Sequence, residues 1–370
     1  MSLLDKLKKT STIKQTAVLS DSKLFNKKDM ASTPVPILNV ALSGSIDGGL
    51  TSGLTVCAGP SKHFKSNLSL LMASSYMEKY PEAVCILYDT EFGITPEYLK
   101  AMNIDPNRVL HTPIEHVEAL KFDLTKQLEN IERGEKVVIV IDSIGNIASK
   151  KELEDAIDGK SVADMSRARA LKSLFRIATP YLTTRDIPMI VINHTYESMA
   201  MYGGPTMSGG TGIYYSANTI FFMGRQQEKD GSQVSGYNFM IGVEKSRFVK
   251  EKTRLPLSIS WDGGINKWSG LLDIGLELGW VNRPSVGWFE GVNKETGEVL
   301  TEKKRKKDTD SASFWLPILK AGFSEAIHKR YAIGEMKAIV DEPEDFEPDL
   351  DSYNEERLTT IKDKETKDVE

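Results

Sequence analysis

Cysteine is nearly absent: there are two in 370 residues. Both Cys57 and Cys85 lie inside apolar, strand-like runs. They read as small buried hydrophobes in a reducing compartment, which excludes a disulfide framework and a cysteine-rich metal centre. Long hydrophobic runs are missing as well. No stretch approaches the roughly 20 apolar residues of a membrane span. The opening residues, Met1-Ser-Leu-Leu-Asp-Lys-Leu-Lys-Lys9, lack the apolar centre of a secretory leader. No membrane partner is expected, and the chain is expected in a cytoplasm. An excess of positive charge is also lacking, since the net charge is −5. That deficit is local. Residues 341–370 hold 13 acidic and 4 basic side chains, a net of −9, so residues 1–340 carry +4. The acidic tail has few large apolar residues and reads as disordered. It serves solubility, or it competes with nucleic-acid phosphates for a basic surface.

Residues 1–33 are basic, with seven lysines against three aspartates, and Pro34 and Pro36 mark a boundary. From about 37 to 260, short β-branched runs alternate with longer polar–apolar segments, the pattern of a parallel sheet with crossover helices. Strands are expected at 54–58, 83–88, 137–141 and 189–192, with two more at 219–223 and 239–243. Residues 266–335 differ, with a helix-like 271–278, tryptophans at 280 and 288, and the run Lys303-Lys-Arg-Lys-Lys307. The expected division is 1–33, a core over 34–265, a small α/β domain over 266–335 and the tail over 336–370.

Each of the four clearest strands runs directly into polar residues. In an open parallel sheet, ligands bind beyond the carboxyl ends of the strands. The first strand leads into Gly59-Pro-Ser-Lys-His-Phe-Lys-Ser66 and a helical segment. Strand, tight loop and helix make a phosphate cradle, in which successive N–H groups form an anion nest at a helix N-terminus. The nucleotide-binding set is Gly59, Pro60, Ser61, Lys62, His63, Phe64, Lys65, Ser66 and Asn67. Lys65 would reach the β- and γ-phosphates and the Ser66 hydroxyl would ligate Mg²⁺. Phe64 stands where G-x-x-x-x-G-K-[ST] has its second glycine; if that backbone needs positive φ, the side chain costs about 1–2 kcal/mol.

The second strand ends in Asp89-Thr90-Glu91, whose carboxylates suit the positioning of an attacking water. The third ends in Asp142-Ser143. An aspartate there is a helix N-cap or, beside Lys65 and Ser66, a partner of Mg²⁺. The fourth ends in Asn193-His194, a place from which a polar side chain can sense a γ-phosphate. Residues 195–212 follow as a glycine- and methionine-rich mobile loop, and 150–163 form a second loop. A helix after it, with Asp164 as its N-cap, carries Arg167, Arg169, Lys172 and Arg176. Arg169, Lys172 and Arg176 share one face, as in a groove that tracks single-stranded nucleic acid.

These motifs, together with Leu42-Ser-Gly-Ser-Ile-Asp-Gly-Gly49, Tyr88-Asp-Thr-Glu-Phe-Gly-Ile-Thr-Pro-Glu-Tyr98, Val191-Ile-Asn-His194 and Trp261-Asp-Gly-Gly-Ile265, carry a resemblance. Over residues 34–335 the chain resembles the RecA-family recombinases, most of all their T4-type phage branch, which shares the Phe before the Lys. The resemblance implies an α/β fold: a RecA-like P-loop ATPase core, a mostly parallel sheet flanked by helices, with an N-terminal oligomerisation segment and a small C-terminal α/β domain. It implies ATP and Mg²⁺ as cofactors. It also implies a helical filament of identical subunits on single-stranded DNA, pairing it with homologous double-stranded DNA. Glu91 matches the family's catalytic glutamate, Tyr98 the aromatic that stacks on adenine, and Asp142 the Mg²⁺-linked aspartate. His194 stands where the bacterial members carry a γ-phosphate-sensing Gln.

The two loops correspond to the family's DNA-binding loops. Met207, Ser208, Gly209, Gly210, Thr211 and Gly212 would bind DNA, with Gly209, Gly210 and Thr211 at the family's phosphate-contacting Gly-Gly-polar element, and Arg169 and Arg176 match DNA-contacting arginines. Lys245 and Arg247 align with two lysines that enter the neighbouring subunit's ATP site, where the planar fork of Arg247 would clamp γ-phosphate oxygens. The N-terminal segment would dock on the next subunit, and the C-terminal domain would gather duplex DNA through residues 303–307. A phage-encoded protein of this kind acts in a host cytoplasm with a single-strand-binding protein, a recombination mediator and a replicative or branch-migration helicase. Two other readings share the motifs: a hexameric helicase with the loops lining its ring, and a non-catalytic DNA-coating or mediator protein whose phosphate loop is distorted by Phe64. The matching C-terminal region counts against the first.

Overall fold

The computed structural model describes residues 2–13, 15–22, 29–160, 165–197, 205–230, 233–260 and 264–334. The tail expected at 336–370, Asp164 and part of each expected DNA loop lie outside them. Helix α1 (Leu3–Thr10) opens on a capping box between Ser2 and Asp5 and buries none of its residues. Helix α2 (Pro36–Ser43) is buried along its whole length. The chain continues through β1 (Gly53–Ala58), α3 (Lys65–Lys79), β2 (Val84–Asp89), α4 (Pro96–Ala101), β3 (Val109–Pro113), α5 (Val117–Asn130), β4 (Val137–Asp142), α6 (Lys150–Ile157), α7 (Ser166–Arg185) and β5 (Pro188–Asn193). Then come β6 (Thr195–Glu197), β7 (Pro205–Met207), α8 (Gly212–Ser216), β8 (Thr219–Asp230), β9 (Gln233–Ser246), β10 (Arg254–Ser260) and β11 (Gly264–Ile265).

Nine strands form one sheet in the order β11-β10-β9-β8-β1-β5-β4-β2-β3. The six from β8 to β3 are parallel, and β9, β10 and β11 add an antiparallel flank. Alternation along β4 shows how the layers form: Val138 and Val140 join one apolar cluster, Ile139 and Ile141 the other. The first cluster also holds α2 and α3, and the second α5 and α7. Strands covered on both faces are almost wholly apolar, as β1 is apart from Thr55 and β5 is up to Asn193. Cys57 and Cys85 are free and buried, and burial pushes both thiols up to about 12.

The remaining described chain adds α9 (Leu271–Leu278), a three-stranded antiparallel sheet of β12 (Val281–Ser285), β13 (Trp288–Gly291) and β14 (Lys304–Arg305), then α10 (Ala312–Ile318) and α11 (Ser324–Tyr331). Its core is aromatic, with Trp315 stacked on Phe323 at 6.1 Å and Phe314 edge-on to Trp315 at 5.1 Å. Among the described residues no helix is long and apolar enough to cross a membrane.

Four local expectations need correction. Strands β8 and β9 run 12 and 14 residues, well beyond the apolar stretches expected as strands, because past Phe222 β8 leaves β1 and pairs on with β9, which is itself paired with β10 from Gly236 to Gly242. The expected loop at 195–212 contains a short hairpin, with β6 and β7 paired from Thr195–Met207 to Glu197–Pro205. The expected loop at 150–163 contains α6, started by a capping box between Ser149 and Glu152. Helix α7 has Met165 at its N-cap, with no side-chain cap.

Candidate active site

The parallel strands end in register, with Ala58 beside Asn193 and Asp89 beside Asp142, so their outgoing loops share one edge of the sheet. The loop after β1 is shaped by two left-handed residues, Lys62 at φ 58° and Phe64 at φ 61°. Left-handed and right-handed residues in succession turn N–H groups into a common concavity, and α3 starts directly behind it. Phe64 thus does occupy a backbone that favours glycine, at a cost of about 1–2 kcal/mol. Gly59 is required for a different reason: a Cβ there would stand 3.0 Å from the Met223 carbonyl oxygen. Lys65 is 6% exposed, and its ammonium donates to the Pro60 carbonyl at 2.7 Å. Burial pushes its pKa down, while Glu91 and Asp142 pull it back up. Residues 61–67 enclose, with Glu91, Asp142, Ile192 and His194, a pocket of about 130 Å³.

The strand ends beside it are stitched together. Thr90 Oγ1 donates to the Ser143 carbonyl at 2.7 Å and accepts from Ser143 N at 2.9 Å, while Thr90 N donates to the Asp142 carbonyl at 2.8 Å. The peptide between Asp142 and Ser143 is cis. Asp89 is buried, and its carboxylate accepts from Glu91 N at 3.0 Å and Phe92 N at 2.7 Å, fixing the turn that presents Glu91. Glu91 Oε1 accepts from the Ser143 hydroxyl at 2.7 Å and lies 3.0 Å from His194 Nε2. Burial pushes the Glu91 carboxyl up, but the bonds from Ser143 and His194 outweigh it and hold the group below the usual range. Gly145 makes room for this: a Cβ there would lie 1.9 Å from His194 Cδ2.

Asp142 differs from Glu91. Burial, with Glu91 and Asp89 nearby, pushes it up to about 6 against opposition from Ser66 and Lys65. Its Oδ1 is buried without a protein partner among the described residues, while the Ser66 side chain bonds to the same carboxylate. A hydroxyl and a buried carboxylate with a spare oxygen fit a hard cation such as Mg²⁺, which takes few protein ligands beside phosphate oxygens. Tyr98, on α4, hydrogen-bonds Asn67 in the first turn of α3, which places its ring at the border of the phosphate loop.

Two expected members of the set lie elsewhere. Lys245 pairs with Ile220 and Ser246 with Thr219, opposite Thr55. Lys245 is thus level with Val56 in mid-strand, about 10 Å along the strand from the phosphate loop, and Arg247, whose N–H donates to the Asn218 carbonyl at 3.1 Å, lies beside Leu54 at the entry end of β1. Lys245 Nζ donates to the Tyr214 carbonyl of α8 at 2.6 Å.

Arg169, Lys172 and Arg176 are exposed along α7, and Gly210 and Thr211 are exposed after β7. Met207 is 7% exposed and packs into the core, so it anchors its loop. Ser208 Oγ donates to the Gly145 carbonyl at 3.1 Å, and Gly212 is buried. Between these parts lies a cavity of about 470 Å³ lined by Gly145, Asn146, Ile147, Glu152, Arg167, Ala168, Gly209 and Gly210. Arg167 differs from Arg169, Lys172 and Arg176 in being half-buried. It is a bolt between the turn after β4 and the segment after β7, donating to the Ile144 carbonyl at 2.8 Å, the Gly145 carbonyl at 2.5 Å and Ser208 Oγ at 3.0 Å. The sequence assigns no role to Gly145, and it offers Asp89 with Glu91 as a carboxylate for an attacking water, whereas Asp89 is spent on the backbone N–H groups of Glu91 and Phe92.

Residues 4–266 match the family model described as RecA N-terminal domain, and residues 268–327 the model described as Bacteriophage T4, Recombination and repair protein, C-terminal domain. The chain is 51% identical, over 370 residues, to the Recombination and repair protein of Enterobacteria phage T4, covering 99% of this chain and 94% of that one. It is 26% identical to Protein RecA of Cutibacterium acnes over 77% of this chain and 81% of the relative, and 27% identical to Protein RecA of Acholeplasma laidlawii over 79% and 87%. With those matches lying over a strand–loop–helix concavity, two strand-end carboxylates and a nine-stranded sheet, the chain belongs to the RecA family of recombinases.

Proposed function

We propose that this protein is an ATP-dependent DNA strand-exchange recombinase. It assembles as a helical filament on single-stranded DNA and pairs that strand with homologous double-stranded DNA, in recombination, repair and recombination-dependent replication. One observation carries the mechanism: the phosphate loop and Glu91 lie at the exit end of the parallel strands, whereas Arg247 lies at the entry end beside Asn218 and Leu54, and the Lys245 ammonium is turned to the Tyr214 carbonyl of α8. A single copy cannot bring them to one phosphate. Two copies stacked head to tail can, and a heterologous contact of that kind propagates into a helix. Exposed Leu3, Leu4 and Leu7 of α1 offer an apolar face for such a contact.

In this reading Lys65 and the loop amides bind the triphosphate, Ser66 and Asp142 hold Mg²⁺, and Tyr98 stacks on the base. When bound, Mg²⁺ neutralises charge on the phosphates. Glu91, ionised at neutral pH, orients the attacking water. His194 carries news of the γ-phosphate outward, because its ring meets Glu91 while its carbonyl accepts from Ser208 N at 2.9 Å. Single-stranded DNA then lies along Arg169 and Arg176 and the amides of residues 209–211, and residues 303–307 gather the duplex. A single-strand-binding protein, a mediator and a replicative or branch-migration helicase are the partners such a filament needs in a host cytoplasm. The ring-helicase reading is not favoured, since residues 268–327 match a recombination-protein module.

The test mixes two variants. Lys65→Ala and Arg247→Ala should each lack DNA-stimulated ATP hydrolysis. In an equal mixture about a quarter of head-to-tail contacts regain both residues, so activity returns. No recovery, from proteins shown to co-assemble, overturns the shared site.

A further inference from the structure

Neither of the two left-handed residues in the phosphate loop, Lys62 and Phe64, is glycine, and each is tethered by the same neighbour. Strand β8 pairs with β1 only at residues 219–222, and beyond that the β8–β9 hairpin runs on past the end of β1, alongside the loop. From β9, Phe239 stacks on the Phe64 ring with centroids 5.3 Å apart and planes at 28°, and Tyr237 backs Phe239 at 5.9 Å. From β8, Arg225, registered opposite Phe239, sets its guanidinium 4.9 Å from the Tyr237 centroid. The same guanidinium donates through Nη1 to the Lys62 carbonyl at 3.2 Å. The ring of one left-handed residue and the carbonyl of the other are thus both held by one hairpin.

We propose that the β8–β9 hairpin is a brace for the phosphate loop, with Phe239, Tyr237 and Arg225 as positioning residues for the triphosphate. Glycine adopts left-handed backbone through conformational freedom, whereas a bulky side chain stays there only where its surroundings over-determine it. Without its stack, Phe64 relaxes toward right-handed or extended backbone. Its N–H then rotates out of the concavity, and the loop loses affinity for phosphate oxygens before any group that touches them has changed. The aromatic and cation–π contacts supply the restraint from side chains 163 or more positions further along the chain. Replacing glycine by phenylalanine exchanges an intrinsically permissive loop for one whose shape depends on the antiparallel flank of the sheet.

This inference rests on the reading of the loop as a triphosphate site. Its test is a double-mutant cycle on the full chain, read by equilibrium binding of a fluorescent ATP analogue with Mg²⁺, with thermal unfolding midpoints recorded in parallel. Phe239→Ala should weaken binding about tenfold, equivalent to about 1.4 kcal/mol. Phe64→Gly removes the need for the brace, so adding Phe239→Ala to it should weaken binding by less than about twofold. Phe239→Tyr, which keeps the stack, should bind as the parent does. Should Phe239→Ala fail to fold, the exposed pair decides: Arg225→Ala should lose about threefold, and Lys62→Gly in the same chain should restore it. Equal losses with and without Phe64→Gly, or no loss from either truncation, overturn the brace. A parent protein that binds no nucleotide overturns the triphosphate reading itself.

Discussion

Replacing Asp142 by asparagine should stabilise the nucleotide-free protein while abolishing its turnover. Burial lifts the Asp142 carboxyl from the ordinary 3.8 to about 6. Each tenfold change in proton affinity is worth about 1.4 kcal/mol, so at pH 7 the ionised group costs the fold about 3 kcal/mol. The sign follows from proton counting. Between pH 3.8 and about 6 the folded chain holds this proton and the unfolded chain does not, so stability falls as pH rises through that window. Asparagine keeps the shape and removes the ionisation. Urea unfolding in a metal chelator should therefore show Asp142→Asn more stable than the parent by about 3 kcal/mol at pH 7, with the gap closing toward pH 4. Coincident midpoints at pH 7, or a gap unchanged at pH 4, would refute the claim that this carboxylate is held ionised against its surroundings.

Gly145→Ala should drive His194 off Glu91, because the new methyl falls 1.9 Å from Cδ2. Single-turnover hydrolysis should slow about a hundredfold while ATP binding holds, and loss of binding instead would place the residue in the phosphate site. Lys65→Ala should abolish both strand exchange and DNA-stimulated hydrolysis; exchange surviving at the parental rate would break the link between ATP and pairing. Arg169→Ala and Arg176→Ala should each lower the slope of log affinity for single-stranded DNA against log salt by about 1, and an unchanged slope would remove that residue from the interface.

The parallel core was legible because its strands are buried on both faces and hence almost wholly apolar, with Asp142 and Asn193 closing β4 and β5 and the phosphate-loop sequence following β1. β3 escaped because it is an edge strand whose residues alternate irregularly in exposure. The long hairpin was half legible, since apolar content marks only the part that crosses the core. Lys65, Ser66, Asp142 and His194 could be named from strand-end chemistry, and Glu91 rather than Asp89 from the resemblance; all five line one pocket. What the sequence could not reveal is contact between distant segments: Arg167 joining the turn after β4 to the segment after β7, Gly145 yielding to His194, and Arg225 reaching Lys62. The helix α6 was available in principle, since Ser149 and Glu152 are a capping box at the proper spacing.

The most direct measurement is electron microscopy of the full chain on single-stranded DNA, with and without a non-hydrolysable ATP analogue. A site shared between copies predicts regular extended helices with the analogue, and disordered or collapsed complexes without it. Helices of the same pitch in both samples would contradict the account, because assembly would then owe nothing to a triphosphate gripped by two subunits.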